Sequence, residues 1–259
     1  MARVLIQPLF SNFDKYDRFA EKNGFGLEIT DFAYPNILDT KYKSLVVRYK
    51  KKMKNNTKFF SSHGAFIDLY INSPDAAIKK VSQERAIRNM EIAKELGIRY
   101  IVFHTNNIPM IKRKSYHENW VSEHVKFWKK ITNRYKITVL LENMWDENPD
   151  LIARVVKKVN SKYLKVCFDT GHCNVFSKVP MESWFRKLGK HIVYIHLNDN
   201  DGDRDAELPP GAGNIDWKKF NGYVKKYCSR PYVVLEVSDL NQIQKSLDYL
   251  KKRKVYPFS

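Results

Sequence analysis

The sequence predicts a single (β/α)8 barrel, on three observations. Short apolar, β-branched runs alternate with longer amphipathic segments along the chain, as expected for βα units around a parallel sheet covered on both faces. Eight such runs fit into 259 residues, close to the roughly 250 residues of one barrel of this kind. His, Asp and Glu recur where those runs end, and a barrel brings its C-terminal strand ends to one mouth.

The strand candidates are Val4–Gln7, Gly26–Thr30, Phe59–His63, Tyr100–His104, Thr138–Glu142, Lys165–Asp169, Val193–Leu197 and Val233–Val237. Helical segments separate them. The clearest start signal is Ser73-Pro74-Asp75, with Ser73 expected as the cap, Pro74 in the first turn and Asp75 at the positive end of the dipole. Ala86, Met90, Ala93 and Leu96 then share a face, and Gly97 ends the helix. Asn148-Pro149-Asp150 repeats the start signal, and Asp216-Trp217 is expected to open a later helix. A doubly wound open sheet usually carries a glycine-rich turn after its first strand. Here that turn reads Pro8-Leu9-Phe10-Ser11-Asn12 and has no glycine. No Pro/Gly/Ser-rich linker interrupts the chain, so one domain is expected over residues 1–259.

A hydrophobic fraction of 43% and a charged fraction of 29% are ordinary for a globular protein. No apolar run reaches the roughly 18 residues of a membrane span. Met1 to Phe10 reads as a first strand and not as a secretory signal. Three cysteines, Cys167, Cys173 and Cys228, with no C-x-x-C, speak against a disulfide framework and fit a cytoplasmic location. The net charge of +18 would attract nucleic acid, anionic lipid or phosphorylated substrates. Much of it lies in runs such as Lys50, Lys51, Lys52 and Lys54, or Lys251, Lys252 and Lys254, which equally suit solvated helix faces.

The strand ends carry the chemistry. The third ends in His63, the fourth in His104 and the fifth in Glu142. The sixth ends in Asp169, followed by His172; the seventh carries His196 and the eighth Glu236. Taken singly, each reads as a hydrogen-bonded histidine or a lysine-paired carboxylate. Ionisable groups inside runs such as Val139-Leu140-Leu141-Glu142 and Val233-Val234-Leu235-Glu236 are costly unless paired or metal-bound. A mixed imidazole and carboxylate set suits zinc, manganese, iron, cobalt or magnesium, and calcium less well.

These residues resemble a known family. His63-Gly64-Ala65-Phe66, Leu141-Glu142-Asn143, Phe168-Asp169-Thr170-Gly171-His172, His196-Leu197-Asn198-Asp199-Asn200 and the stretch from Leu208 to Trp217 are similar to segments of the xylose-isomerase-like TIM-barrel superfamily. That group holds sugar (phosphate) isomerases and epimerases and the endonuclease IV type of apurinic-site nuclease. The resemblance implies one metal site built from Glu142, Asp169, His196 and Glu236. For the nuclease branch it implies a second from His63 and His104 with Glu142 shared, and a third from His172, Asp205 and Glu207. The family pattern at that third site is Asp-x-His-Leu-Pro, whereas this chain reads Asp205-Ala206-Glu207-Leu208-Pro209.

The resemblance implies two chemistries. A sugar isomerase or epimerase would work through an enediolate, with Glu142 and Glu236 handling protons at the metal and His172, Glu207, Phe66 and Trp145 contacting substrate; Phe176 is a further candidate. A nuclease would use several metals to activate water against a phosphodiester. Lys112-Arg113-Lys114 would then meet nucleic acid, and Phe66-Ile67 would serve as a wedge. A non-catalytic ligand-binding barrel is a third reading, opposed by the intact Glu142 and Glu236 pair.

Overall fold

The computed structural model describes residues 3–66 and 68–259. Met1, Ala2 and the wedge candidate Ile67 lie outside the described residues. Eight strands close into a barrel in sequence order: β1 (Val4–Ile6), β2 (Gly26–Ile29), β3 (Phe60–His63), β4 (Tyr100–His104), β5 (Thr138–Glu142), β6 (Leu164–Asp169), β7 (Ile192–Leu197) and β8 (Tyr232–Leu235). Every pairing is parallel, and β8 returns to β1 with Val4 opposite Val233.

The helices are α1 (Phe13–Asn23), α2 (Pro35–Thr40), α3 (Tyr42–Met53), α4 (Ala76–Glu95), α5 (Lys114–Tyr135), α6 (Asp150–Val159), α7 (Thr170–Phe176), α8 (Met181–Leu188), α9 (Trp217–Tyr227) and α10 (Leu240–Arg253). Among the described residues no helix is long and apolar enough to cross a membrane. The expected strands stand within one or two residues at each end. Gln7, Thr30, Phe59, Glu236 and Val237 fall just outside the ladders.

One expected cap is corrected. Asp75, not Ser73, caps α4, its carboxylate accepting from the backbone N–H of Ala77 and Ile78 at 2.8 and 3.1 Å. Ser73 instead accepts from the N–H of Asp75 at 3.2 Å, one step before the helix. Asp216 caps α9 as expected, accepting from the N–H of Lys219.

Side chains alternate across each strand. One set fills the space between barrel and helices; the other points inward, where Leu5, Val102, Leu140, Cys167, Tyr194 and Val234 form a buried layer. Below it Phe59 and Tyr232 stack at 4.4 Å. The alternation puts the next inward position two residues further along each strand, on the side of the C-terminal mouth.

The outer core contains an uncharged histidine. His124 of α5 is 2% exposed, stacks on Trp120 at 3.8 Å and accepts a hydrogen bond from Trp128 Nε1 at 3.3 Å. Its Nε2 is buried without a partner among the described residues, and burial pushes its pKa down to about 3. Trp128 packs in turn on Phe103 of β4 at 5.2 Å, next to His104.

Candidate metal centre

Two residues beyond the interior layer, the strands present the candidate ligands. Val102 leads to His104, Leu140 to Glu142, Cys167 to Asp169, Tyr194 to His196 and Val234 to Glu236. The period of two thus aims them all into the mouth. Glu142, Asp169 and His196 are fully buried, and the Glu236 side chain is 17% exposed. Ligand atoms of these four residues lie within 4.8 Å of one another, as do those of His63, Glu142 and His196.

His196 is the hub. Its Nδ1 lies 3.1 Å from Glu142 Oε1 and 3.0 Å from Glu236 Oε2. The other oxygen of Glu142, Oε2, faces His63 Nε2 at 3.3 Å and His104 Nε2 at 3.4 Å, and makes no hydrogen bond among the described residues. The rings of His63 and His104 stand edge to face at 5.0 Å, with Phe66 packed on them at 5.4 and 5.1 Å.

Asp169 is fixed from three sides. Its Oδ1 accepts from the backbone N–H of His172 at 2.6 Å, so the same carboxylate caps α7. Its Oδ2 accepts from Asn198 Nδ2 at 2.8 Å, and its backbone exchanges two hydrogen bonds with the Asn143 side chain. Gly171 makes this possible: a Cβ there would meet Asn198 Oδ1 at 1.8 Å. His172 is held by the Asn143 carbonyl at 2.9 Å and by Asp205 Oδ2 at 3.1 Å.

The loop between β7 and α9 carries Asp205 and Glu207. It is tied at its neck by Asp199, which exchanges backbone hydrogen bonds with Leu208. The buried Asp199 carboxylate accepts from the N–H groups of Asn200, Gly211 and Ile215 and from Trp217 Nε1, at 2.8–3.2 Å. Glu207 stands at the rim in a left-handed conformation, φ 44°, and its carboxylate makes no ion pair or hydrogen bond among the described residues. Partial burial and the charges of Glu236 and Asp205 push its pKa up to about 7. Trp145 is half-buried on the loop after β5 and makes no aromatic contact with the cluster among the described residues. Phe176 closes on His172 at 6.5 Å.

The structure adds residues that strand-end reasoning passed over. Glu28 of β2 is fully buried, with Oε1 3.1 Å from His196 Nε2. Gln7 Nε2 donates to Glu28 at 2.9 Å and to Glu236 at 3.0 Å. Asp146 is buried behind the mouth, accepts from Thr105 Oγ1, and is pushed up to about 6 by burial. Glu28 had a legible signal, since a carboxylate inside Gly26-Leu27-Glu28-Ile29 is as conspicuous as Glu142 in its own strand.

The charges of the cluster suit a bound cation. Burial would raise Glu142 and Glu236, but the charge and hydrogen bonding of His196, with His104 at Glu142 and Gln7 at Glu236, together outweigh it. Glu142 is held well below the usual range and Glu236 down to about 2. Asp169 goes the other way, raised by burial and by the neighbouring carboxylates. Burial would lower His196, but Cys167, Glu236, Glu142 and Glu28 raise it well above its ordinary value. This many carboxylates around one buried imidazole hold either its proton or a metal ion in its place. The orphaned Glu142 Oε2, and a donor set mixing imidazole with carboxylate, fit a divalent transition ion or magnesium.

Comparison with known proteins agrees with this architecture. An uncharacterized protein of Methanocaldococcus jannaschii is 28% identical over 204 residues, 73% of this chain and 68% of its own. A probable endonuclease 4 of Persephonella marina is 23% identical over 197 residues, 68% of each chain. Among solved structures, a Thermus thermophilus protein soaked with zinc chloride superposes with a TM-score of 0.79 at 22% identity, covering 96% of this chain and 97% of that one. A D-tagatose 3-epimerase-like protein gives 0.78 at 24% identity, covering 96% of both. At these identities the structural likeness establishes the fold. Residues 18–253 match the sequence profile described as xylose isomerase-like TIM barrel, and the chain belongs to that family.

Proposed function

We propose that the protein is a metal-dependent sugar isomerase or epimerase acting at the mouth of the barrel. The observation that carries this is the pair Glu142 and Glu236 meeting at His196 Nδ1, at 3.1 and 3.0 Å, with Asp169 within reach of the same point. Glu142, Asp169, His196 and Glu236 would hold one divalent ion, which supplies Lewis-acid polarisation of a carbonyl and the adjacent hydroxyl. Glu142 comes from β5 and Glu236 from the turn after β8, so the two carboxylates approach a bound molecule from different parts of the wall. Either carboxylate would serve to accept the proton of the carbon next to the carbonyl. His172 and Glu207 would bind hydroxyl groups, and Phe66 and Trp145 would supply apolar surface. The epimerase-like structural neighbours support the same reading.

A second reading is supported by His63 and His104, which converge on the free oxygen of Glu142. A second ion there, with a third at His172 and Asp205, would suit phosphodiester hydrolysis on nucleic acid. The likeness to probable endonuclease 4 and the charge of +18 point the same way. One experiment separates the two. Purified protein is analysed for bound metal, incubated with ketoses in D2O, and offered duplex DNA containing an abasic site. The first reading expects one ion per chain and deuterium at a sugar carbon. Three ions with metal-dependent nicking and no exchange would replace it with the second.

A further inference from the structure

We infer that Glu28 is a positioning residue for the metal centre, setting which nitrogen of His196 faces the ion. The inference rests on the metal-site reading above and goes beyond its ligand set. His196 Nδ1 is turned toward Glu142 and Glu236, so a ligand bond must come from Nδ1 and the proton of the neutral ring must sit on Nε2. Nε2 is buried in the barrel, where an unpaired N–H is costly. The carboxylate facing it is Glu28, with Oε1 at 3.1 Å. That contact meets the distance of a hydrogen bond but not its angle, and metal binding at Nδ1 would align it. Metal-binding histidines generally donate their second N–H to a carboxylate or carbonyl, which fixes the tautomer and strengthens the ligand.

Glu28 is itself held in place by donors from three strands or their ends. Gln7 Nε2 donates to Oε1 at 2.9 Å, and Tyr194 OH donates to Oε2 at 2.7 Å. Ser61 Oγ lies 2.6 Å from Tyr194 OH and reaches Oε2 at 3.4 Å. Gln7 spends its second amide proton on Glu236 Oε1 at 3.0 Å, so Oε2 of Glu236 is the oxygen left facing His196. One buried carboxylate and one amide thus orient two of the four ligands from behind. An isolated buried carboxylate with only a packing role would not need its acceptor edge against the far nitrogen of the hub histidine.

The test compares wild type with Glu28→Gln, which keeps shape and removes charge. Zinc affinity is measured by competition with a chromophoric chelator, and the thermal midpoint of the chelated protein reports folding. The expected result is stoichiometric zinc in the wild type and affinity roughly 10–100-fold weaker in the variant, the range for losing an outer partner. A folded variant within about threefold of wild type overturns the inference while leaving the metal site standing. A wild type that binds no zinc overturns the metal site, and the inference with it. Should Glu28→Gln fail to fold, 15N-histidine NMR of the zinc-loaded wild type decides the matter. Nδ1 bound to metal with the proton on Nε2 is expected, and the reverse assignment overturns it.

Discussion

His124 gives the molecule an acid-sensitive point outside the metal centre, and the effect can be worked out. The ring is buried, its Nε2 has no partner among the described residues, and its pKa is about 3 against an ordinary 6.5. Between those values the unfolded chain binds a proton that the folded one refuses, so stability contributed by this residue is intact above pH 6.5 and falls as the pH drops toward 3. At pH 5 the loss spans 1.5 units below 6.5, or about 2 kcal/mol at about 1.4 kcal/mol per unit. His124→Phe retains the stack on Trp120 and cannot titrate. Urea denaturation of both proteins at pH 7 and pH 5, in chelator so that metal binding does not contribute, isolates the term. The wild type should lose about 2 kcal/mol more than the variant on acidification, which corresponds to roughly 4–8 °C in the midpoint of a heat scan. The other titrating groups cancel in the comparison. Equal losses within about 0.5 kcal/mol would show that His124 is not held neutral by burial, and the reasoning would fail.

Two further outcomes follow from the site. Glu142→Gln removes the carboxylate shared by four histidines, and Asp169→Asn removes the one that also caps α7; each should lower metal occupancy, through an affinity loss larger than the roughly 10–100-fold typical of an outer partner. Full occupancy of both variants by elemental analysis would eliminate the site as drawn. Asp199→Ala leaves four N–H groups without their acceptor, each costing about 1–3 kcal/mol where it stays buried, so a loss of several kcal/mol is expected in chemical denaturation. A loss below about 1 kcal/mol would mean that water replaces Asp199 and that the loop neck does not depend on it.

The barrel was legible because strand period, strand count and polar strand ends point to one architecture. Glu142, Asp169, His196 and Glu236 were legible because each is a costly ionisable group two residues beyond an apolar inward position. Attention to strand ends also explains what was missed. Glu28 lies before the end of β2, and Gln7, a neutral residue just past β1, carries no burial penalty large enough to stand out. Their roles depend on the neighbours that closure of β8 onto β1 supplies. Ser73 and Asp75 are both good caps, and the choice between them rests on where the backbone turns helical, which composition does not specify. The place of Glu207 depended on a loop fold: its left-handed backbone and rim position follow from the tether at Asp199. For Trp145 and Phe176, aromatic character marks a mouth residue without saying what it touches.

That tether has an evolutionary consequence. Asp199 and its four donors close the loop at its base, while residues 201–207 hang beyond the closure, largely exposed. Exchanges in that exposed appendage touch neither the strands nor the buried core, so they should perturb the barrel's folding little. Asp205 and Glu207 ride on this appendage, whereas Glu142, Asp169, His196 and Glu236 sit on or just beyond the barrel strands, so the two candidate groups are free to vary independently of each other.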